Sequence, residues 1–210
     1  MDIPERITFV ALGDSLTYGF LPYGSFGAMG RGLPYTSYLD NMVIVEQEKR
    51  GLGCVDFAFV NLGVNGDTTR GMLGRMGTDV APRGPDYVIV WGGINDLFGG
   101  FEPAQVMEDL KQIYAKAREL GIEPIACTVT SVIRPSPVVP RIRELNDLIR
   151  EFCAENRIWL ADLFEALSDE SGLLLDEFSS DGVHLNAEGN RRVASAIYSE
   201  VVEQILDGLD

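Results

Sequence analysis

The 210-residue chain carries 32 acidic against 17 basic side chains, a formal charge of −15 at neutral pH. Such a field repels phosphate backbones and anionic membrane surfaces and argues against a nucleic-acid partner. With 46% hydrophobic and 23% charged residues the composition is ordinary globular, which excludes a disordered or fibrous chain. The length suits one domain, 1–210, able to bury its own core. Residues 1–6 show no basic start leading into an apolar signal stretch, and no window approaches the roughly 18 uninterrupted apolar residues of a membrane span. A cytoplasmic protein without stable membrane insertion is the expectation. Cys54, Cys127 and Cys153 are odd in number and form no C-x-x-C pair, so free thiols in a reducing compartment are expected.

Taken in chain order, apolar runs alternate with helical patterns. Strands are predicted at Ile7–Leu12, Val55–Asn61, Asp86–Trp91, Pro124–Thr130 and Ile158–Asp162. They are short, nearly continuous in Val, Ile, Phe and Leu, and bounded by Gly, Pro or Asp, as parallel strands covered on both faces are. Helices are predicted at Tyr35–Arg50, Thr68–Val80, Pro103–Leu120, Pro140–Asn156 and Ala187–Leu206. In the third, Val106, Leu110, Ile113 and Ala117 keep the i, i+3/i+4 rhythm until Gly121. Ile142, Leu145, Leu148, Ile149 and Phe152 repeat it in the fourth. Five βα units predict a doubly wound α/β sheet, with the active crevice beyond the carboxyl ends of the strands. The Gly- and aromatic-rich stretch Tyr18–Pro34 is too long for an ordinary βα connection and reads as a binding loop.

Four polar blocks fall in that crevice. Gly13-Asp14-Ser15-Leu16 ends the first strand, where Ser15 is either a nucleophile or, with Asp14, part of a helix cap. Asn65-Gly66-Asp67-Thr68 follows the second strand; it reads as a turn with a capped helix, or as a close backbone N–H at Gly66 for a developing negative charge. Gly93-Ile94-Asn95-Asp96 follows the third, with Asn95 either an Asx turn or an amide donor to the same charge. The last, Asp181-Gly182-Val183-His184, precedes the final helix, which Asn186 would cap, and holds the only histidine of the chain. An i, i+3 loop lets the Asp181 carboxylate reach imidazole Nδ1 and leave Nε2 for a serine proton. Asp162 and Asp176 are the nearest rival carboxylates. One histidine and three scattered cysteines offer no tetrahedral metal set. Gly24–Gly30 lacks the lysine and the spacing of a phosphate loop, so neither metal nor nucleotide is expected.

As a set these blocks resemble the GDSL, or SGNH, hydrolases, especially the lysophospholipase and acyl-thioesterase type, over essentially the whole chain. The resemblance implies a three-layer α/β/α fold with a flavodoxin-like five-stranded parallel sheet in the order 2-1-3-4-5, and a serine esterase without cofactor. Position by position it implies Ser15 as nucleophile, His184 as base and Asp181 as its orienter. The oxyanion donors it implies are the Ser15 N–H, the Gly66 N–H and the Asn95 side chain, with Gly63 a weaker alternative to Gly66. Two departures stand out: the enlarged Tyr18–Pro34 segment, and Leu185 where many relatives carry proline.

The expected reaction is hydrolysis of short- to medium-chain carboxylic esters, lysophospholipids or thioesters through an acyl-enzyme. The expected partner is a small acyl ester. The alternatives are a carbohydrate O-acetylesterase and a binding module that keeps the fold without the chemistry. An acyl pocket is expected among Tyr18–Pro34, Leu97–Phe101 and Ser131–Pro140, from Phe20, Leu21, Phe26, Leu97, Phe98, Phe101, Val132, Ile133, Val138 and Val139, all read as exposed apolar groups.

Overall fold

The computed structural model describes residues 6–22, 30–53 and 55–209. Strand β1 (Arg6–Gly13) runs into a four-residue helix α1 (Ser15–Tyr18), followed by a small antiparallel ribbon, β2 (Phe20–Leu21) and β3 (Gly30–Arg31). Then come α2 (Tyr35–Arg50), β4 (Asp56–Gly63), α3 (Thr69–Arg75), β5 (Tyr87–Trp91), α4 (Ile94–Phe98) and α5 (Pro103–Glu119). The chain continues through β6 (Glu123–Cys127), α6 (Val138–Asn156), β7 (Trp159–Ala161), α7 (Leu163–Leu167), α8 (Ala187–Ile197) and α9 (Glu203–Asp207).

The main sheet is parallel throughout, in the order β4-β1-β5-β6-β7. Counted over these five strands alone, that is the expected 2-1-3-4-5. Its central strands are buried on both faces: Phe9, Leu12, Val88, Ile89 and Ile125 expose nothing to solvent. The helices pack in two groups, α2 with α8, and α5 with both α3 and α6. On α5 the residues Val106, Leu110, Ile113 and Ala117 are all buried, and on α6 so are Ile142, Leu145, Ile149 and Cys153, whereas Leu148 and Phe152 are half-buried. Truncating a buried leucine of this kind costs about 2–5 kcal/mol. Among the described residues no helix is long and apolar enough to cross a membrane.

The differences from the sequence reading are local. The segment expected to be irregular begins at the last residue of α1 and contains the β2–β3 ribbon, because four- and two-residue elements carry no readable periodicity. Helices α4 and α7 were missed for the same reason. The apolar run expected to extend the fourth strand to Thr130 leaves the sheet at Cys127. Beyond it the Asn146 side chain, buried on α6, accepts from Val129 N–H at 2.7 Å and donates to Val129 O at 2.8 Å, replacing a neighbouring strand. Single π turns at Met76–Val80 and Tyr198–Val202 interrupt the second and last predicted helices. Cys127 and Cys153 are buried free thiols, and burial pushes the Cys153 thiol up to about 12; Cys54 lies outside the described residues.

Candidate active site

The parallel register places Gly13 beside both Gly63 and Trp91, so the ends of β1, β4 and β5 lie level at one edge of the sheet. Gly63 takes a close approach rather than an oxyanion position: a Cβ there would come within 2.1 Å of Tyr18 N, so only glycine lets α1 lie on β4. Asp14 caps α1, its Oδ1 accepting from Leu16 N–H at 2.9 Å. Ser15 is then the first helical residue, 8% exposed, and its N–H has no acceptor within the helix.

Ser15 Oγ lies 3.1 Å from His184 Nε2, although 169 positions separate them. On the other side of the ring, His184 Nδ1 and Asp181 Oδ2 are 2.7 Å apart. With Nδ1–H donating to the carboxylate, Nε2 is left as the acceptor for the serine hydroxyl. The loop is tied locally. Asp181 Oδ1 accepts from the backbone N–H groups of Val183 at 3.0 Å and His184 at 2.8 Å. The Ser179 hydroxyl accepts from Gly182 N–H at 3.0 Å and donates to His184 O at 2.6 Å. Partial burial raises the Asp181 carboxyl, but the histidine ring and these two N–H groups outweigh it and hold it below its ordinary value. Of the rivals, Asp162 binds Arg150 at 2.7 Å and caps α7, while Asp176 lines the wall of a cavity beside Asp181. Asn186 caps α8 through Glu188 and Gly189 N–H, so the cap and the histidine loop coexist. Leu185, at the departure from the family pattern, is simply buried in the core.

Gly66 occupies the third position of a Val64–Asp67 turn closed by Asp67 N–H to Val64 O at 3.1 Å. Its φ of 76° suits glycine there, and among the described residues no acceptor takes the Gly66 N–H. Asn95, in the first turn of α4, donates one amide hydrogen to Asp67 O at 2.9 Å and keeps the second. That bond reaches 28 positions back, so it is tertiary rather than an Asx turn. Asp96 beside it is buried and accepts from the Thr69 N–H and hydroxyl, joining α4 to α3. Sequence reading passed over two residues of this network. Ser179 gives only the turn-rich run Ser179-Ser180-Asp181-Gly182 as a signal, and Arg75 gives its spacing eight residues after Asp67, about two helical turns.

Beside Asp181 a cavity of about 590 Å³ is lined by Phe98, Val132, Ile133, Arg134 and Gly182 among others. Phe20, from the small ribbon, lies with its ring centroid 4.7 Å from that of His184. Other pocket expectations need correction. Leu97 is 1% exposed, on the face of α4 turned into the core. Phe101 is half-exposed but lines a separate groove with Arg70, Gln105 and Asp109. Val138 and Val139 are buried where α6 begins. Phe26 lies outside the described residues.

Asp14 has a consequence for stability. It is fully buried, and its Oδ2 has no hydrogen-bond partner among the described residues. Burial lifts the carboxyl from 3.8 to about 7; Leu16 N–H opposes this, and the charges of Asp67 and Asp96 add to it. A raised folded value favours the neutral acid, so its contribution to stability is full below the unfolded value and lost as pH climbs from about 4 through about 7. Wild type should therefore lose roughly 4 kcal/mol over that window relative to Asp14→Asn, which can keep the Leu16 cap. Urea midpoints of both proteins from pH 4 to 8 measure it; parallel profiles would mean that Asp14 ionises normally.

The comparisons agree with this architecture. An N-acylneuraminate cytidylyltransferase of Streptococcus agalactiae is 28% identical over 114 residues, which make up 54% of this chain and 27% of that protein. Esterase TesA of Pseudomonas aeruginosa is 28% identical over 131 residues, 61% of this chain and 62% of the esterase. The chain thus spans about a quarter to under two thirds of the length of these relatives. Among solved structures, Axe2, an acetylxylan esterase from Geobacillus stearothermophilus, superposes with a TM-score of 0.74 at 23% identity, covering 95% of this chain and 96% of that one. Residues 11–192 match the model of the GDSL-like Lipase/Acylhydrolase family, to which this chain belongs.

Proposed function

We propose that the chain acts as one catalytic domain, a serine esterase cleaving small carboxylic esters by way of an acyl-enzyme. The observation that carries this reading is the continuous relay Ser15–His184–Asp181, with contacts of 3.1 and 2.7 Å. In the first half, Ser15 Oγ attacks the ester carbonyl while His184 Nε2 takes its proton, and the carbonyl oxygen becomes negative. Ser15 N–H, Gly66 N–H and the second Asn95 hydrogen receive that charge. Collapse expels the alcohol, protonated by His184. Water then attacks the acyl-enzyme with His184 again as base, releasing the acid and restoring Ser15.

The acyl group goes to the cavity of Phe98, Val132 and Ile133, with Phe20 covering the histidine. Each methylene buried there adds about 0.8 kcal/mol, so kcat/KM should rise roughly tenfold from p-nitrophenyl acetate to butyrate and about as much again to hexanoate. Phe98, 51% exposed, is the wall that truncation removes without touching the core; Phe98→Ala should flatten the rise. Strict acetate preference would instead favour a carbohydrate O-acetylesterase, the chemistry named for the Axe2 neighbour. A fluorophosphonate probe that labels wild type but not Ser15→Ala excludes a silent binding module; absence of labelling and of turnover on every ester would sink the esterase reading.

A further inference from the structure

We propose that Arg75 is a positioning residue for the oxyanion pocket, its guanidinium locking the turn that carries Gly66 and Asp67 to the strand end that carries Ser15. The inference rests on the esterase reading and adds to it a residue that touches no reacting atom.

Arg75 closes α3 with its side chain only 13% exposed. Its Nε donates to Asp67 Oδ2 at 2.8 Å, and its Nη2 donates to Gly13 O at 3.0 Å. Gly13 stands two residues before Ser15, and Asp67 directly follows Gly66, so one planar group bridges the nucleophile turn and the glycine turn. The same Gly13 carbonyl accepts from Val64 N–H, the first residue of that glycine turn, at 3.0 Å. Asp67 distributes the constraint further. Its other carboxylate oxygen accepts from Thr68 N–H at 3.0 Å, and its carbonyl accepts from the Asn95 amide at 2.9 Å. Each proposed oxyanion donor is therefore adjacent in sequence to, or bonded to, a residue that Arg75 holds or that neighbours one.

Chemistry explains why arginine stands there. Two acceptors on different turns need a rigid fork of donors, which an ammonium on a flexible stem does not supply. The Asp67 side chain is 10% exposed and its charge bears on Asp14, so without the guanidinium a largely buried carboxylate would be left without its partner. Asp79, 3.8 Å away and 44% exposed, adds a weaker outer contact. Stability alone is a poor reason for such a pair, since buried ion pairs often fail to outdo apolar replacements. Geometry is a better one: donors must lie 2.7–3.1 Å from the oxyanion, and a displacement of about 1 Å can cost roughly 100-fold.

The test compares Arg75→Gln, Arg75→Lys, Asn95→Ala and the Arg75→Gln/Asn95→Ala double variant on p-nitrophenyl butyrate. Melting temperatures and hydrogen exchange of the Asn95 side-chain amide, followed by NMR, are read alongside. Arg75→Gln should lose about 10–100-fold in kcat with KM within about twofold, the signature of an interaction made in the transition state. Arg75→Lys should fold and recover little of the loss. In the double variant, removing Arg75 should cost less than it does in wild type, because part of its effect runs through Asn95 and the rest through the Gly66 turn. Asn95 amide hydrogens should exchange at least about tenfold faster in Arg75→Gln. A lowered melting temperature with unchanged kcat in both Arg75 variants would reduce Arg75 to a structural ion pair. Should Arg75→Gln fail to fold, Arg75→Lys decides by the same criteria. The exchange readout needs no turnover: an inactive wild type with an Arg75-dependent Asn95 amide overturns the esterase reading alone, whereas an active wild type with an indifferent amide overturns this inference alone.

Discussion

Ser15→Ala and His184→Ala should each lower kcat on p-nitrophenyl butyrate by about 10⁴–10⁶-fold, with melting temperatures close to wild type. The size follows from the relay. Serine is not a nucleophile at neutral pH unless a base takes its proton, and His184 Nε2 is the group at 3.1 Å from the hydroxyl. No second imidazole exists in the chain to take over, so the His184 result decides the assignment. Combining the two changes should cost little more than either alone, since each disables the same step. Asp181→Asn should lose less or at most as much: it removes the charge that stabilises the imidazolium while sparing the backbone contacts of the loop to Ser179. Near-normal kcat in His184→Ala would show that the relay is not the engine of the reaction.

Asn95→Ala is the next largest expected effect, about 10²–10³-fold in kcat with a small change in KM. Its amide is fixed by one bond to Asp67 O, and in the proposed mechanism the second hydrogen receives the charge on the carbonyl oxygen. That bond strengthens only as the oxygen acquires charge, so ground-state binding should barely notice its loss. Were Asn95 merely a brace between α4 and the Asp67 turn, the variant would melt lower and turn over normally. Steady-state kinetics with a melting curve on the same preparation separate the two.

Legibility in the sequence followed the range of the interaction. The caps of α1 and α8 at Asp14 and Asn186 were readable because each acts over two or three residues. The Asp181–His184 contact was readable because an i, i+3 loop decides it. That α1 packs on Gly63 so closely that only glycine fits there is visible from packing alone. Leu97 was misread because a five-residue helix turns one face inward without a periodic signature. Phe101 was misread because loop order does not say which groove a side chain enters.

By itself the sequence determined the parallel α/β architecture and the placement of the four polar blocks at the carboxyl ends of its strands. Strands covered on both faces must be apolar throughout, and residues at their carboxyl ends must gather at one edge. Tertiary structure alone decided how those loops meet. The level ends of β1, β4 and β5 bring Arg75 within reach of both Gly13 and Asp67, and place the Phe20 ring on His184. The same packing turns Asn146 to complete the backbone beyond β6. Apart from Arg75–Asp67, eight positions apart, such contacts join different elements of the chain, and their geometry comes from sheet register and helix packing, which no local pattern of residues encodes.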